Sequence, residues 1–505
     1  MKTQASQNYS LPKQVAFIAK AISQTNATAY LVGGILRDSI LKVPNPDIDI
    51  AVVGNARNVG NEIANTTNGK CFELDSLRGI YRVISSDSNS KTQIDIATIQ
   101  DEIHNDLSKR DFTINTLALD LKKVTFDENT PQLKVSQIIN DHRGIEDLKT
   151  GTLRMTNNEV FKEDPLRILR AVRLAAKYDL KIDDVTKNQI EKNNILVSKI
   201  SGERVREEFL KLLSMENTVT NLKTLDKLGI LTNIIPELEP CRKTEQSTGH
   251  HWKVLDHMLE TAGQLENIVT GKPINLGPFP EFIANYIPIN DLHKTYFNQI
   301  YSEGHTRLTL LKLSSILHDI GKPETKTVEA NGKIRFLTHE KLGGEITHSI
   351  LKRLKFSNLG TELITNEVEN HLRPGQISTF GEEPSQKAIR KFYKDTKNTS
   401  LDVLYLNMAD YLAAKGPNLS EEEWKDHCRK VEFIQNSESS YKKAINQRKL
   451  LSGHDIMIGL CLKPGPLIGI LIDEIEESRM EGLVTNKEEA LELIRHRMTS
   501  GEYIA

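Results

Sequence analysis

Two aspartates stand two residues apart in Pro46-Asp47-Ile48-Asp49-Ile50. On a strand such residues point to one face, so both carboxylates project together while Ile48 and Ile50 face a core. Paired carboxylates without a basic partner repel each other unless a cation sits between them. The economical occupant is Mg²⁺, a hard ion that prefers oxygen ligands and substrate phosphates. Ahead of them, Gly33-Gly34-Ile35-Leu36-Arg37-Asp38 supplies a glycine pair that lets backbone amides approach a polyanion. Gln93-Ile94-Asp95-Ile96-Ala97 alternates polar and apolar residues, so Asp95 can join the pair from a neighbouring strand. Three carboxylates can hold two divalent ions, one activating an attacking hydroxyl and the other neutralising a triphosphate. Each motif alone is weak, since Gly-Gly is usually a turn and Asp-x-Asp usually a solvated loop. Their co-occurrence points to metal-dependent nucleotidyl transfer.

These residues need strands beneath them. Segments 29–32, 48–53, 81–84, 93–98 and 113–120 read as strands or partly buried segments between polar turns, a small mixed sheet with covering helices over residues 11–150. Beyond 150 the pattern turns helical. Segment 161–178 places Leu166, Leu169, Val172 and Ala176 at helical spacing, and 203–213 and 219–228 continue in that manner. Residues 236–249 read as a loop, and 273–290, rich in Pro, Gly and Asn, as an insertion between helices. From 416 to 505 a charged helical tail is expected, with an unusual turn from Gly453-His454-Asp455 through Pro464-Gly465-Pro466.

Composition narrows the class. The 505 residues carry a net charge of −2, so any RNA contact must come from local basic patches. No apolar run suits a signal peptide or a membrane span. Cys71, Cys241, Cys428 and Cys461 lie far apart without a C-x-x-C pair and read as free thiols, so a cytoplasmic location is expected.

Gly33-Gly34-x-x-Arg37-Asp38 with Asp47-x-Asp49 resembles the first motif of class II tRNA nucleotidyltransferases and bacterial poly(A) polymerases, and four further motifs follow in that family's order. Lys109-Arg110-Asp111-Phe112-Thr113-Ile114-Asn115 is similar to R-R-D-x-x-x-N, with lysine first. Asp141-His142-Arg143-Gly144-Ile145-Glu146-Asp147-Leu148 resembles the hinge motif, with Arg143 replacing one of two usual glycines. Glu163-Asp164-Pro165-Leu166-Arg167 is similar to the base-reading motif, and Gly202-Glu203-Arg204-Val205-Arg206-Glu207-Glu208 to the last one. The resemblance covers residues 28–215. It implies that Asp47, Asp49 and Asp95 are catalytic, with Mg²⁺ on Asp47 and Asp49. It also implies nucleotide contacts at Gly33, Gly34, Arg37, Asp38, Arg110, Asp111 and Asn115, the last two at the ribose 2′-hydroxyl.

Asp164 and Arg167 share a helix face at spacing three. A carboxylate accepts from the exocyclic amine of cytosine or adenine, and a guanidinium donates to ring acceptors. Uracil and guanine present an oxygen there and are repelled. The plain alternative is that Asp164 is an N-cap with Pro165 in the first turn. Arg170 and Arg173 continue the stripe, to hold phosphates or solvate the helix.

His318-Asp319-Ile320-Gly321-Lys322 follows an apolar helix, with His257, His339, His371 and Asp410 elsewhere in the helical region. Mixed imidazole and carboxylate ligands suit Mg²⁺ or a transition metal in a hydrolytic site. This set resembles the HD phosphohydrolase domain over about residues 245–415. By that resemblance His257, His318, Asp319 and Asp410 bind one metal (Ni²⁺, Mn²⁺ or Mg²⁺), with His339 and His371 available for a second. Phosphatase or 2′,3′-cyclic phosphodiesterase action on RNA 3′ ends is the implied accessory activity. A scaffold with a decayed metal site is the alternative.

The implied class is α+β: a mixed-sheet nucleotidyltransferase head over 1–150 and an all-α neck and body for base selection and RNA binding over 151–240. An all-α HD domain over 241–415 and a helical tRNA-binding tail over 416–505 follow. Near-neutral charge, the HD block and the tail favour tRNA, CTP and ATP as partners over a poly(A) polymerase, which usually carries a basic tail. Only residues 98–109 separate the Asp95 strand from Arg110, too few to include the flexible loop that helps CCA-adding members switch nucleotides. A partial enzyme adding only CC or only the final A, with a complementary enzyme for the rest, is therefore expected. An HD phosphohydrolase with a vestigial head and a non-catalytic RNA-binding protein are the readings from other classes. The intact carboxylate set speaks against both, because such charges are costly without a metal.

Overall fold

Among the described residues, 8–134 contain nine strands interleaved with helices: β1 Asn8–Ser10, β2 Thr28–Val32, β3 Ile48–Val53, β4 Lys70–Asp75, β5 Ile80–Asp87, β6 Ser90–Ile99, β7 Ala118–Asp120, β8 Thr125–Asp127 and β9 Thr130–Lys134. The computed structural model describes residues 8–499 except 88–89, 129, 248, 275, 277–280, 447–449 and 481. Six strands form a mixed sheet in the order β4-β5-β6-β3-β2-β7, and β1, β9 and β8 form a second, smaller one. β3 and β6 run parallel, with Ile48 opposite Ile94 and Asp49 opposite Asp95. Their apolar partners Ile48, Ile50, Ile94 and Ile96 are all buried. A one-residue slip would expose that layer to water, so core packing itself holds the two aspartates in register.

Helix Ala56–Thr66 and the β4–β5 hairpin make the crossover that a parallel β3–β6 pair requires. β2 runs antiparallel to β3 and ends with Val32 opposite Asp49. Gly33 therefore emerges beside the carboxylates, at φ +73 and ψ −132, and opens helix Gly34–Leu41. A side chain there would be strained by the backbone and would meet Arg110 Nη1 at 3.0 Å.

Segment 113–120 departs from the expected strand. Residues Thr113–Asn115 form a 3₁₀ turn and only Ala118–Asp120 is extended. Asp111 accepts from the Phe112 amide at 2.9 Å and from Asn115 Nδ2 at 2.8 Å, and such local side-chain bonds outcompete a ladder. Segment 161–178 is likewise two helices, Val160–Glu163 and Leu166–Tyr178. Pro165 forces the residue before it out of the helical region, and Asp164 sits at φ −145 and ψ 99. In the hinge motif Arg143 itself adopts the left-handed conformation, φ 62. The remaining glycine, Gly144, cannot be replaced so easily, because a Cβ would lie 2.3 Å from the Thr113 carbonyl oxygen.

The remainder is helical apart from three two-stranded ladders, Thr152–Leu153 with Lys181–Ile182, Ile300–Ser302 with His305–Thr306, and Lys326–Val328 with Ile334–Phe336. The expected loop at 236–249 holds a 3₁₀ turn, Pro236–Leu238, and a helix, Glu239–Lys243, anchored by buried Cys241. The insertion at 273–290, part of which lies outside the described residues, contains helix Glu281–Tyr286. The expected turn at Gly453 is instead helix Gly453–Leu460. Ser452 Oγ accepts from the Asp455 amide and Asp455 accepts from the Ser452 amide, a capping box that starts a helix.

The chain divides into two compact units, Met1–Met215 with Thr220–Pro236, and Glu216–Val219 with Glu237–Ala505. Within the second unit, buried Glu266 holds the Glu216–Val219 segment by accepting from the amides of Asn217 at 2.9 Å and Thr218 at 3.2 Å. It also pairs with Lys312 at 2.9 Å and Lys272 at 3.1 Å. Burial works against its charge, but Lys312, Thr218 and Lys272 outweigh burial and hold the carboxyl down at about 2. The stability this adds is present above the unfolded carboxylate range, near pH 4.5, and is lost as pH falls through about 2. Glu266→Gln, which removes the carboxylate paired with buried Lys312, is expected to cost about 3 kcal/mol in urea unfolding at pH 7. The gap to wild type should narrow on titration from pH 5 towards pH 3; a pH-independent gap would refute the assignment.

Candidate functional site

Asp47 and Asp49 face an open cavity of about 660 Å³ in the first unit. Asp49 is the second residue of β3 and Asp47 immediately precedes the strand. Neither carboxylate has a salt bridge among the described residues. Dense surrounding protein and the negative charge of Asp95 push the Asp49 carboxyl above its usual range, against the opposing pull of Arg110 and Arg170. A divalent cation relieves that repulsion, and two open carboxylates on one face are the oxygen donors that such an ion takes. Asp95 lies in register beside Asp49 but outside the cavity lining. Both its oxygens are taken by Arg82, Nε to Oδ1 at 2.7 Å and Nη2 to Oδ2 at 2.8 Å.

The cavity wall is one hydrogen-bonded chain. Arg37, 6% exposed, donates to Asp38 Oδ1 at 2.7 Å, to Asn115 Oδ1 and to the Tyr178 hydroxyl at 2.5 Å. The Tyr178 ring also lies 4.3 Å from the guanidinium carbon. Asp38, fully buried, accepts further from Asn45 Nδ2 at 2.7 Å. Asn115 donates to Asp111, and Arg170 Nε donates to Asp111 Oδ2 at 3.0 Å. Burial raises the Asp111 carboxyl, but Arg170, Asn115 and the Phe112 amide prevail and hold it below the usual range. Arg110 pairs with Asp106 at 2.9 Å, and Gly33 and Gly34 line the rim. Arg37 and Asp38 thus sit inside the wall, whereas Arg110 and Arg170 reach its surface.

At the far end Asp164 does two things at once. Its Oδ1 accepts from the Leu166 amide at 3.2 Å, and its Oδ2 accepts from Arg204 at 2.8 Å. One oxygen therefore performs the capping of the plain alternative and the other faces the cavity lining. Arg167 is braced by the carbonyls of Val160 at 3.3 Å and Lys109 at 3.1 Å and by Glu163 at 3.2 Å. Its five donors leave capacity for a ligand. Lys109, Arg173, Lys177 and Arg204 complete a basic lining suited to a polyanion.

In the second unit the six histidine and aspartate residues converge. His257 and His318 present Nε2 atoms 3.2 Å apart. His257 Nε2 lies 2.9 Å from Asp410 Oδ1, and His318 Nε2 lies 3.2 Å from Asp319 Oδ2. His339 and His371 Nε2 approach Asp319 Oδ1 at 3.2 and 3.7 Å. His318, His339 and His371 each bond a backbone carbonyl through Nδ1, those of Ser315, Phe336 and Val368 at 2.8, 2.7 and 2.7 Å. A carbonyl only accepts, so each Nδ1 carries a proton and each Nε2 is turned to the carboxylates, able to ligate a metal through its lone pair once it holds no proton. Against burial, the charges of Asp319 and Asp410 push His318 up to about 10. Burial pushes His371 down to about 3, which keeps it neutral. No hydrogen bond reaches the buried Nε2 atoms of His339 and His371. Lone pairs and carboxylates around one centre fit a divalent metal, and the backbone-anchored Nδ1–H is the usual support for a ligating histidine. His257, His318 and Asp410, and His318, Asp319 and His371, form two groups whose ligand atoms lie within 4.8 Å of one another.

Comparisons with known proteins agree with this arrangement. The poly A polymerase head domain matches residues 29–154, the probable RNA- and SrmB-binding site of polymerase A matches 179–242, and the HD domain matches 254–415. A CC-adding tRNA nucleotidyltransferase of Thermus thermophilus is 27% identical over 473 residues, 92% of this chain and 93% of that one. An A-adding tRNA nucleotidyltransferase of Deinococcus radiodurans is 28% identical over 469 residues, covering 92% and 94%. The chain belongs to the poly(A) polymerase and tRNA nucleotidyltransferase family. The fold is also that of the Thermotoga maritima CCA-adding enzyme complexed with tRNA, at TM-score 0.55 and 21% identity over 96% of this chain and 94% of that one.

Within this family's nucleotidyltransferase frame, Asp164, Arg167 and Arg170 fall between the matched head and RNA-binding segments. Arg204, Tyr178, Asp106 and Arg82 are partners that sequence reasoning did not single out. Arg204 lay within a quoted motif, but nothing in the spacing tied it to Asp164, forty residues earlier. Removing the Arg37 cation by Arg37→Met leaves Asp38 buried beside apolar atoms. A loss of about 3–5 kcal/mol is expected in denaturant unfolding of the first unit. A loss under about 1 kcal/mol, the range of an exposed pair, would overturn the structural weight given to this ion pair.

Proposed function

We propose that this protein is a template-independent tRNA nucleotidyltransferase that adds C or A to the tRNA 3′ end from CTP or ATP. One observation carries the reading. A single cavity joins the Asp47–Asp49 pair to the Asp164–Arg167 pair, so reacting phosphate and selected base occupy opposite ends of one site. Asp111 and Asn115 lie between them, where a ribose would sit, and Lys109, Arg110 and Arg170 face the phosphates. Mg²⁺ on Asp47 and Asp49 would lower the pKa of the attacking hydroxyl and neutralise the triphosphate. In this reading residues 1–150 are the catalytic head, 151–240 the base-selecting neck and body, 241–415 the HD domain and 416–505 a tRNA-binding tail. The reaction is cytoplasmic, in keeping with four free cysteines.

The addition is partial. β6 ends at Ile99 and helix Ile103–Ser108 begins after three intervening residues, so the link from Asp95 to Arg110 has almost no unstructured chain. Full-length relatives named CC-adding and A-adding support this reading, and a complementary enzyme then supplies the missing nucleotides. Transcripts ending before C74, C75 or A76, offered CTP and ATP separately, decide it. Extension is expected over the CC step or the A step alone, and complete CCA on the shortest transcript would refute partial addition. Asp47→Ala or Asp49→Ala is expected to lower incorporation by at least about a thousandfold; a poly(A) polymerase would instead extend any RNA with ATP.

A second activity is favoured by the other centre. Asp410, whose side chain is 16% exposed, lines a cavity of about 1050 Å³ together with Asn407, Tyr411, Lys415, His427 and Lys430. Such a cleft takes a nucleotide-sized phosphate ester. Purified protein supplied with Ni²⁺, Mn²⁺ or Mg²⁺ is expected to hydrolyse a 2′,3′-cyclic phosphate or a phosphomonoester. His318→Ala should lose that activity and bind at least about tenfold less metal, with nucleotide addition unchanged. No hydrolysis with any of the three ions would refute the second activity.

A further inference from the structure

Arg82 is a cation of the head that the nucleotide site does not use. It faces Asp95 directly across the β5–β6 ladder and holds both carboxylate oxygens in a fork of 2.7 and 2.8 Å. With its amide turned to present oxygen, Gln93 lies 2.8 Å from the same guanidinium, so a second acceptor can retain Arg82 if Asp95 lets go. About a third of each side chain in the Arg82–Asp95 pair is open to solvent, and pairs so placed exchange partners at little cost. Neither residue lines the nucleotide cavity, although Asp49, in register with Asp95, does.

That placement has a chemical meaning. In an in-line displacement the attacking hydroxyl and the leaving pyrophosphate stand on opposite sides of the reacting phosphorus. With the nucleoside triphosphate in the cavity, the RNA 3′ end must arrive on the far side of Asp49, where Arg82 and Asp95 lie. A guanidinium fork that fits a carboxylate fits a phosphate equally well. We propose that Arg82 is the primer-side phosphate site: when RNA arrives, its fork moves from Asp95 to the 3′-terminal phosphodiester of the primer. The exchange uncovers Asp95 beside Asp49 only when a primer is present. Before it, Asp47 and Asp49 are the only members of the acidic trio open to a cation.

This rests on the proposed nucleotidyl-transfer reading, and the test separates the two. Binding of a tRNA minihelix is measured by fluorescence anisotropy, with its 3′-terminal linkage either an ordinary phosphodiester or an uncharged methylphosphonate. Wild type is expected to bind the neutral-linkage RNA about tenfold more weakly. Arg82→Ala should bind the ordinary RNA about tenfold more weakly than wild type and no longer distinguish the two linkages. Its salt dependence should fall by roughly one counterion, and CTP and ATP affinities should be unchanged, which also certifies the fold. Arg82→Lys, which keeps the charge and loses the fork, should fall between. If Arg82→Ala discriminates the linkages as wild type does, or loses nucleotide affinity, the assignment of Arg82 is overturned. If wild type adds neither C nor A to the minihelix, the nucleotidyl-transfer reading itself falls.

Discussion

The head is arranged around a cation that has almost no water. Arg37 is buried at the mouth of the helix that follows Gly33, and each of its nitrogens needs an acceptor. Asp38 comes from the same helix, Asn115 from the 3₁₀ turn and Tyr178 from the end of helix Leu166–Tyr178. Three separately encoded segments are thus held by one guanidinium, and through Asn115 the constraint passes to Asp111 and Arg170. The groups that face a ligand are positioned by groups that do not. A buried charge left unpaired is so costly that the wall has little freedom to rearrange.

Much of this was legible in the sequence. The alternation at 48–53 and 93–98 placed Asp49 and Asp95 on one face because core isoleucines between them admit one register. The six histidine and aspartate residues grouped from the sequence also lie together in the fold, though they span more than 150 positions. What escaped was set by local competition or by distance. Pro165 broke a helix whose apolar spacing runs through it. Asp111 bent a strand-like segment into a turn. Ser452 and Asp455 capped a helix where Gly453 suggested a turn. Arg82 and Arg204 were invisible as partners of Asp95 and Asp164, since no periodicity links residues that meet only in the folded chain.

The two centres show opposite electrostatic economies. In the head, Asp38, Asp106, Asp111 and Asp164 each pair with an arginine along the wall, while Asp47 and Asp49 stand without a salt bridge among the described residues. The histidine centre instead withdraws its proton donors to the backbone. Ser315, Phe336 and Val368 take the Nδ1–H groups, leaving each Nε2 turned inward to the carboxylates. A carbonyl cannot reverse its role, so ring tautomers are dictated by main-chain geometry and are insensitive to surface substitutions. The first centre is adaptable by charge; the second is set once the helices close.

The link between Ile99 and Ile103 carries a different consequence. Three residues span at most about 10 Å even when fully extended, so the strand bearing Asp95 and the helix leading to Arg110 move as one piece. Such a tether has no slack to store a second posture of the site. Lengthening it would nonetheless add little to loop-closure entropy, which grows only with the logarithm of length. A single surface insertion at residues 100–102 is therefore a low-barrier evolutionary step. It would loosen the head mechanically without touching a catalytic side chain, so in this fold the number of settings an active site can adopt is inherited separately from its chemistry.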